Sequence, residues 1–206
     1  MRLKTLATHP VWREPRTVFG VWMLTGVIFA IVKLLIGKYN NYKIFEGVYW
    51  HAIEGLTLYG DHYPEYYDSN HYGILFSLII APFALLPEWL GIILWIAGNT
   101  ALLFYAISRL PLSSTQKIII YWYSLMTAQG VQQFNISVAA FILLSFVLIL
   151  EKKDFWAAGI IMLGTFIKIY PIVGLAFFFF SRQKVRLLAS CLFWGLVCFV
   201  IPVLYT

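Results

Sequence analysis

Charge is scarce in this sequence, and the usual devices of soluble enzymes are scarcer still. Charged residues make up 12% of the 206 positions against 61% hydrophobic, and the mean hydropathy is +0.80. A chain this poor in charge lacks the polar surface a soluble globular domain needs. Period-two alternation is also missing, which excludes barrel strands. The two cysteines, Cys191 and Cys198, lie seven apart in one apolar run, where their helix geometry excludes a mutual disulfide and leaves packing as their role. There is no Gly-rich phosphate loop, Ser/His nucleophile pair or dinucleotide fingerprint. The net charge of +6 forms neither a stripe nor a stacking platform, so no nucleic acid is expected as a partner. What remains is an integral membrane protein, all-α, forming a single polytopic bundle over residues 1–206.

The basic residues orient that bundle, because Lys and Arg concentrate in cytoplasmic loops. The best arrangement starts with a cytoplasmic N-terminus over residues 1–17 and an uncleaved first span over residues 18–37. An external loop over residues 38–88 precedes the remaining spans in 89–206. The crossings after the first are Trp89–Ile107, Ile118–Ala128, Ile136–Leu150, Phe155–Ile167, Ile172–Phe180 and Val185–Leu204. Eleven of the fifteen basic residues then lie inside. Six of the nine acids lie outside: Glu46, Glu54, Asp61, Glu65, Asp68 and Glu88.

This requires that Gly73–Leu86 not cross. About fourteen residues span only about 21 Å as a helix, against a hydrocarbon core of about 30 Å, and Pro82 interrupts the run. It reads as a helix at the outer interface. Tyr42–Leu58 reads as a second one, with Phe45, Val48, Tyr49, Ala52, Ile53 and Leu56 on an apolar stripe and Lys43, Glu46, Gly47, His51 and Glu54 opposite. The later spans are short and meet at polar turns, Gln129–Asn135 and Lys168–Pro171. Irregular backbone at that depth implies a cavity, since only protein or water can satisfy it there.

Four blocks carry a resemblance. They are Asn41-Tyr42-Lys43-Ile44-Phe45 with Leu58-Tyr59; His71-Tyr72-Gly73-Ile74-Leu75-Phe76 running into Ala81–Pro87; Gln132-Gln133-Phe134-Asn135; and Lys168 with Pro171. In order and spacing the chain resembles the GT-C membrane glycosyltransferases, specifically family 87 (DUF2029), which includes mannosyltransferases of mycobacterial cell-envelope glycolipids. The resemblance implies a GT-C-like bundle with two juxtamembrane helices in its first external loop. It further implies a bacterial inner-membrane location, a polyprenyl-phosphate sugar as donor, a lipid or glycan as acceptor, and transfer of a hexose such as mannose on the outer face. Asn41 stands where the family carries its candidate catalytic Asp, so either a neighbouring carboxylate serves or the chain is inactive. Family members run longer, and the chain reads as a truncated member or a fragment.

Such a transfer needs a carboxylate to take the acceptor's proton, a cation for the departing phosphate and polar groups to orient the sugar. Asp68 is the first choice of base because it precedes His71-Tyr72 at the mouth of the second interfacial helix. Glu46 is the second. A solvated loop acid is the plain alternative for each. Lys168 is the candidate phosphate cation, with snorkelling to the headgroups as its alternative. Asn41, His71, Tyr72, Gln133 and Asn135 complete the substrate-binding set, although Asn135 equally suits a helix cap. No cofactor is called for, and His51, Glu54, Asp61, His62 and His71 lack metal-site spacing. A Mg or Mn ion bridging acids to the lipid phosphate is compatible with these residues. The runner-up function is a non-enzymatic transporter or flippase component for lipid-linked glycans. It would need a polar path that Phe155–Ile167 does not offer.

Overall fold

A computed structural model describes residues 9–60, 63–128 and 134–204. Among them every regular element is helical. After a 3-10 turn at Pro10–Arg13 come α1 (Pro15–Leu35), α2 (Asn40–Glu54), α3 (Phe76–Ala84), α4 (Glu88–Arg109), α5 (Ser114–Ala128), α6 (Asn135–Leu150) and α7 (Asp154–Ile167). A 3-10 helix (Tyr170–Phe180), α8 (Lys184–Val200) and a short 3-10 turn follow.

Three segments, Pro15–Leu35, Glu88–Arg109 and Lys184–Leu204, are long and apolar enough to cross a membrane. Their outer faces fit that reading: Leu24 and Leu35 of α1 and Leu192, Leu196 and Phe199 of α8 are exposed, which water would penalise and lipid would not. Asn135–Leu150, Asp154–Ile167 and Tyr170–Phe180 are shorter. The 3-10 form matters for the last of these. At about 2.0 Å per residue it advances about 22 Å in 11 residues, matching the about 21 Å of the 14-residue α7 beside which it runs.

Sequence signals set the boundaries. Pro at the first turn starts α1, Pro87 precedes α4, and Glu88 and Arg109 oppose the positive and negative ends of that helix. Gly55, at φ 68°, ends α2 in the left-handed form that glycine adopts without strain. That stop cuts the helix short of Leu58. Helix α3 has nine residues and contains Pro82, so at about 13 Å it cannot span.

One expectation needs correcting. Ile53 and Leu56, assigned to the apolar stripe of α2, are 49% and 48% exposed, whereas His51 on the supposed polar face is 2% exposed. The helix has two partners: α3 covers one side, and Tyr63 and Tyr66 of the following loop cover Gly47 and His51 on another. Hydropathy reports lipid or core contact and could not foresee a loop folding back.

The core divides by depth. Phe45, Tyr72, Phe76, Trp95 and Phe134 form an aromatic cluster at the loop end. Val18, Trp22, Leu103 and Tyr121 form a second cluster between α1, α4 and α5. Ala157, Ala158, Leu187 and Cys191 pack α7 on α8. Both cysteines are free and buried.

Candidate active site

The loop before α3 is pressed onto the end of α7. Gly73 donates its N–H to the Ile167 carbonyl at 2.8 Å, and a Cβ at residue 73 would collide with the Phe166 carbonyl oxygen. Only glycine permits this approach. Asn70, 3% exposed, fixes the neighbouring residue: its Oδ1 accepts from Tyr72 N and its Nδ2 donates to Tyr72 O, both at 2.9 Å. Tyr72 is thereby held in the aromatic cluster, 5.2 Å from Phe45 and 4.7 Å from Phe76 between ring centres. Burial raises its phenol, and a hydrogen bond with the Phe134 backbone opposes the rise.

Lys168 follows α7 directly. Its backbone turns extended while its N–H still bonds Gly164 O, which sends the side chain back across the loop. The ammonium donates to Asn135 Oδ1 at 3.0 Å and lies 5.0 Å over the Tyr72 ring and 5.5 Å over the Tyr170 ring. Among the described residues no carboxylate pairs with it. Ring faces and an amide oxygen hold the charge without neutralising it, so it can receive an anion.

The structure therefore brings Tyr72, Asn135 and Lys168 together. His71 is exposed beside them, and Asn41 is half-buried in the first turn of α2. Gln133 lies outside the described residues, as do Asp61 and His62.

The two candidate bases occupy different settings. Asp68 is exposed, in a left-handed turn at φ 75°, and its Oδ1 accepts from Ser69 N at 2.8 Å. Asn40 holds the preceding residue, exchanging hydrogen bonds of 2.6 and 2.7 Å with the Tyr67 backbone. Glu46 is half-buried on α2. Burial, then the neighbouring Glu88 carboxylate, pushes it up to about 7, with Lys43 opposing. Glu88 Oε1 is itself buried with no hydrogen-bond partner among the described residues. Hydrogen bonding toward Glu88 raises the Tyr39 phenol. A carboxylate with a pKa near neutrality can take a proton at working pH and release it afterwards. Phe45, adjacent to Glu46 in α2, packs its ring 5.2 Å from that of Tyr72.

Sequence reasoning missed Asn40, Asn70 and Glu88. Asn70 beside His71 had a turn-residue signal. Glu88 stood only as one of the six external acids. His51 is also committed, its Nε2 3.0 Å from Glu65 Oε1 and its ring 3.9 Å from Tyr63. That hydrogen bond lowers Glu65. Among the described residues no three side chains of metal-ligand type converge.

The sequence model of glycosyltransferase family 87 matches residues 70–206. The chain belongs to that family. It is accordingly a membrane glycosyltransferase by family, with a sugar donor and an acceptor as its substrates. The match takes in His71, Tyr72, Gln133, Asn135 and Lys168 and begins after Asn41, Glu46 and Asp68. No curated protein and no solved structure matches.

Proposed function

We propose that this protein moves a hexose, mannose being the first to test, from a polyprenyl phosphate to a lipid or glycan acceptor at the outer face of the bacterial inner membrane. The observation that carries the reading is the Lys168 ammonium, held over the Tyr72 ring and bonded to Asn135, with no carboxylate partner among the described residues. That is the arrangement a departing phosphate needs.

The acceptor hydroxyl oxygen attacks C1 of the sugar while the bond from C1 to the phosphate oxygen breaks. The bonding electrons pass to that phosphate oxygen, where Lys168 balances the added charge. The hydroxyl proton goes to Glu46, the better base of the two candidates because its pKa of about 7 matches the task. Asp68, tied to its own turn, serves the loop geometry. The phosphate is a good leaving group, so no second carboxyl acid is required. An apolar groove of about 330 Å³ lined by Leu75, Leu78, Ile160, Leu163, Trp194 and Cys198 adjoins this group through Leu75 and suits an isoprenoid chain.

Purified protein given polyprenyl-phosphate hexose and a membrane lipid extract tests the reading. Glu46→Gln is expected to lower transfer by roughly 10²–10⁴-fold, and Asp68→Asn by no more than a few-fold. The reverse ranking makes Asp68 the base. Neither transfer nor donor hydrolysis by the wild-type protein, with donor movement across vesicles instead, would replace the enzyme with a transporter.

A further inference from the structure

The end of the bundle opposite Lys168 carries two kinds of basic residue. Arg109 and Lys153 both pair with Glu151, and Lys117 donates to the Ser108 carbonyl at 2.7 Å. Arg182, Lys184 and Arg186 behave differently. All three are exposed around one open depression at the start of α8, and among the described residues none pairs with a carboxylate. Arg186 bonds the Gln183 amide at 3.1 Å, and Lys184 lies 5.8 Å from the Phe178 ring.

The acid that the fold brings to this turn is withheld from them. Asp154, 1% exposed, accepts from the Ser181 hydroxyl, and Ser181 Oγ accepts from Gln183 N at 3.1 Å. Three like charges within five residues repel one another, and among the described residues no carboxylate relieves them. Beside them Phe179, Phe180, Val185 and Leu188 are 79%, 58%, 82% and 49% exposed. A surface joining bare cations to bare apolar groups matches the boundary between phospholipid headgroups and acyl chains.

We propose that Arg182, Lys184 and Arg186 form a docking surface for the headgroups of anionic phospholipids, with the flanking Phe179, Phe180, Val185 and Leu188 lying against the acyl chains. Arginine can hold a phosphodiester through two parallel hydrogen bonds, which lysine cannot. This surface is separate from the sugar-transfer site and does not depend on that reading.

The test is lipid retention. Full-length protein in detergent is titrated with phosphatidylglycerol or phosphatidylcholine, and bound lipid is counted by native mass spectrometry. Each basic group near an anionic surface adds about 1 kcal/mol, or about fivefold. Taken over the three groups, the wild-type protein is therefore expected to retain phosphatidylglycerol about a hundredfold better than phosphatidylcholine. Arg182→Gln/Lys184→Gln/Arg186→Gln should lose that preference, while Arg13→Gln/Arg16→Gln should keep it. Equal retention of both lipids by the wild-type protein overturns the proposal and requires no variant to fold. Retention of the preference by the triple variant also overturns it, as does equally tight binding of soluble glycerol phosphate.

Discussion

The two ends of the bundle treat charge in opposite ways. At the Lys168 end, polar groups are taken out of water with incomplete pairing. Glu46 sits beside Glu88, a Glu88 oxygen has no partner among the described residues, and Lys168 rests on ring faces and an amide. At the other end, Arg109, Glu151 and Lys153 form an exposed ionic cluster, and the deeply buried Asp154 accepts from the Ser181 hydroxyl. Desolvation without full compensation is what moves a carboxyl group toward neutral pKa. A solvated pair leaves chemistry untouched and contributes to orientation in the membrane.

Variants can break this contrast, starting with the largest effect. Removing the Lys168 charge with Lys168→Met should cut transfer at least as far as Glu46→Gln does, about a hundredfold or more, while leaving the melting temperature close to wild type. A parallel collapse of the melt would make that lysine structural. Next comes Gly73→Ala, which drives a methyl group into the Phe166 carbonyl. It should cost about 1–3 kcal/mol and lower activity along with stability, read by thermal melting and turnover. Asn70→Ala strands the Tyr72 amide inside the protein and should cost about 1–2 kcal/mol, again with a loss of turnover.

A smaller effect is expected from pH. The folded-state pKa of Glu46 is raised from 4.5 to about 7, so its contribution to stability is complete below 4.5 and is lost as pH rises through 7. The wild-type melting temperature should fall across that window, and Glu46→Gln should flatten the fall. Activity that depends on Glu46 as a base should rise over the same interval. The smallest change is expected from Glu151→Gln at the other end. Its melting curve should overlay that of wild type at moderate salt, where exposed pairs are screened. A large drop would erase the contrast between the two ends.

The helical membrane class, the short α3, the turn at Lys168–Pro171 and the family were all legible in the residues. Each is a local or periodic property. The grouping of Lys168 with Tyr72 and Asn135 was legible in kind, since the same residues stood out by type, but their mutual contact was not. That contact depends on Gly73 docking 94 residues along the chain onto Ile167, and no periodicity encodes such a pairing. Glu88 illustrates the opposite failure. As one of six external acids it had no local feature to set it apart, and only the packing of Glu46 beside it does so. His51 was misread for a related reason, because its face of α2 is covered by a loop and not by a helix.

Composition and hydrophobic run lengths by themselves determined that this chain is a bundle of membrane helices with six of its nine acids between the first two long apolar runs, because the solvent preference of each side chain is a local quantity that sums along the sequence. Only the tertiary structure decided which of those acids loses water and that Lys168 comes to rest on the Tyr72 ring and the Asn135 amide. A pKa depends on what surrounds a group in space, and here the surroundings come from segments far apart in sequence.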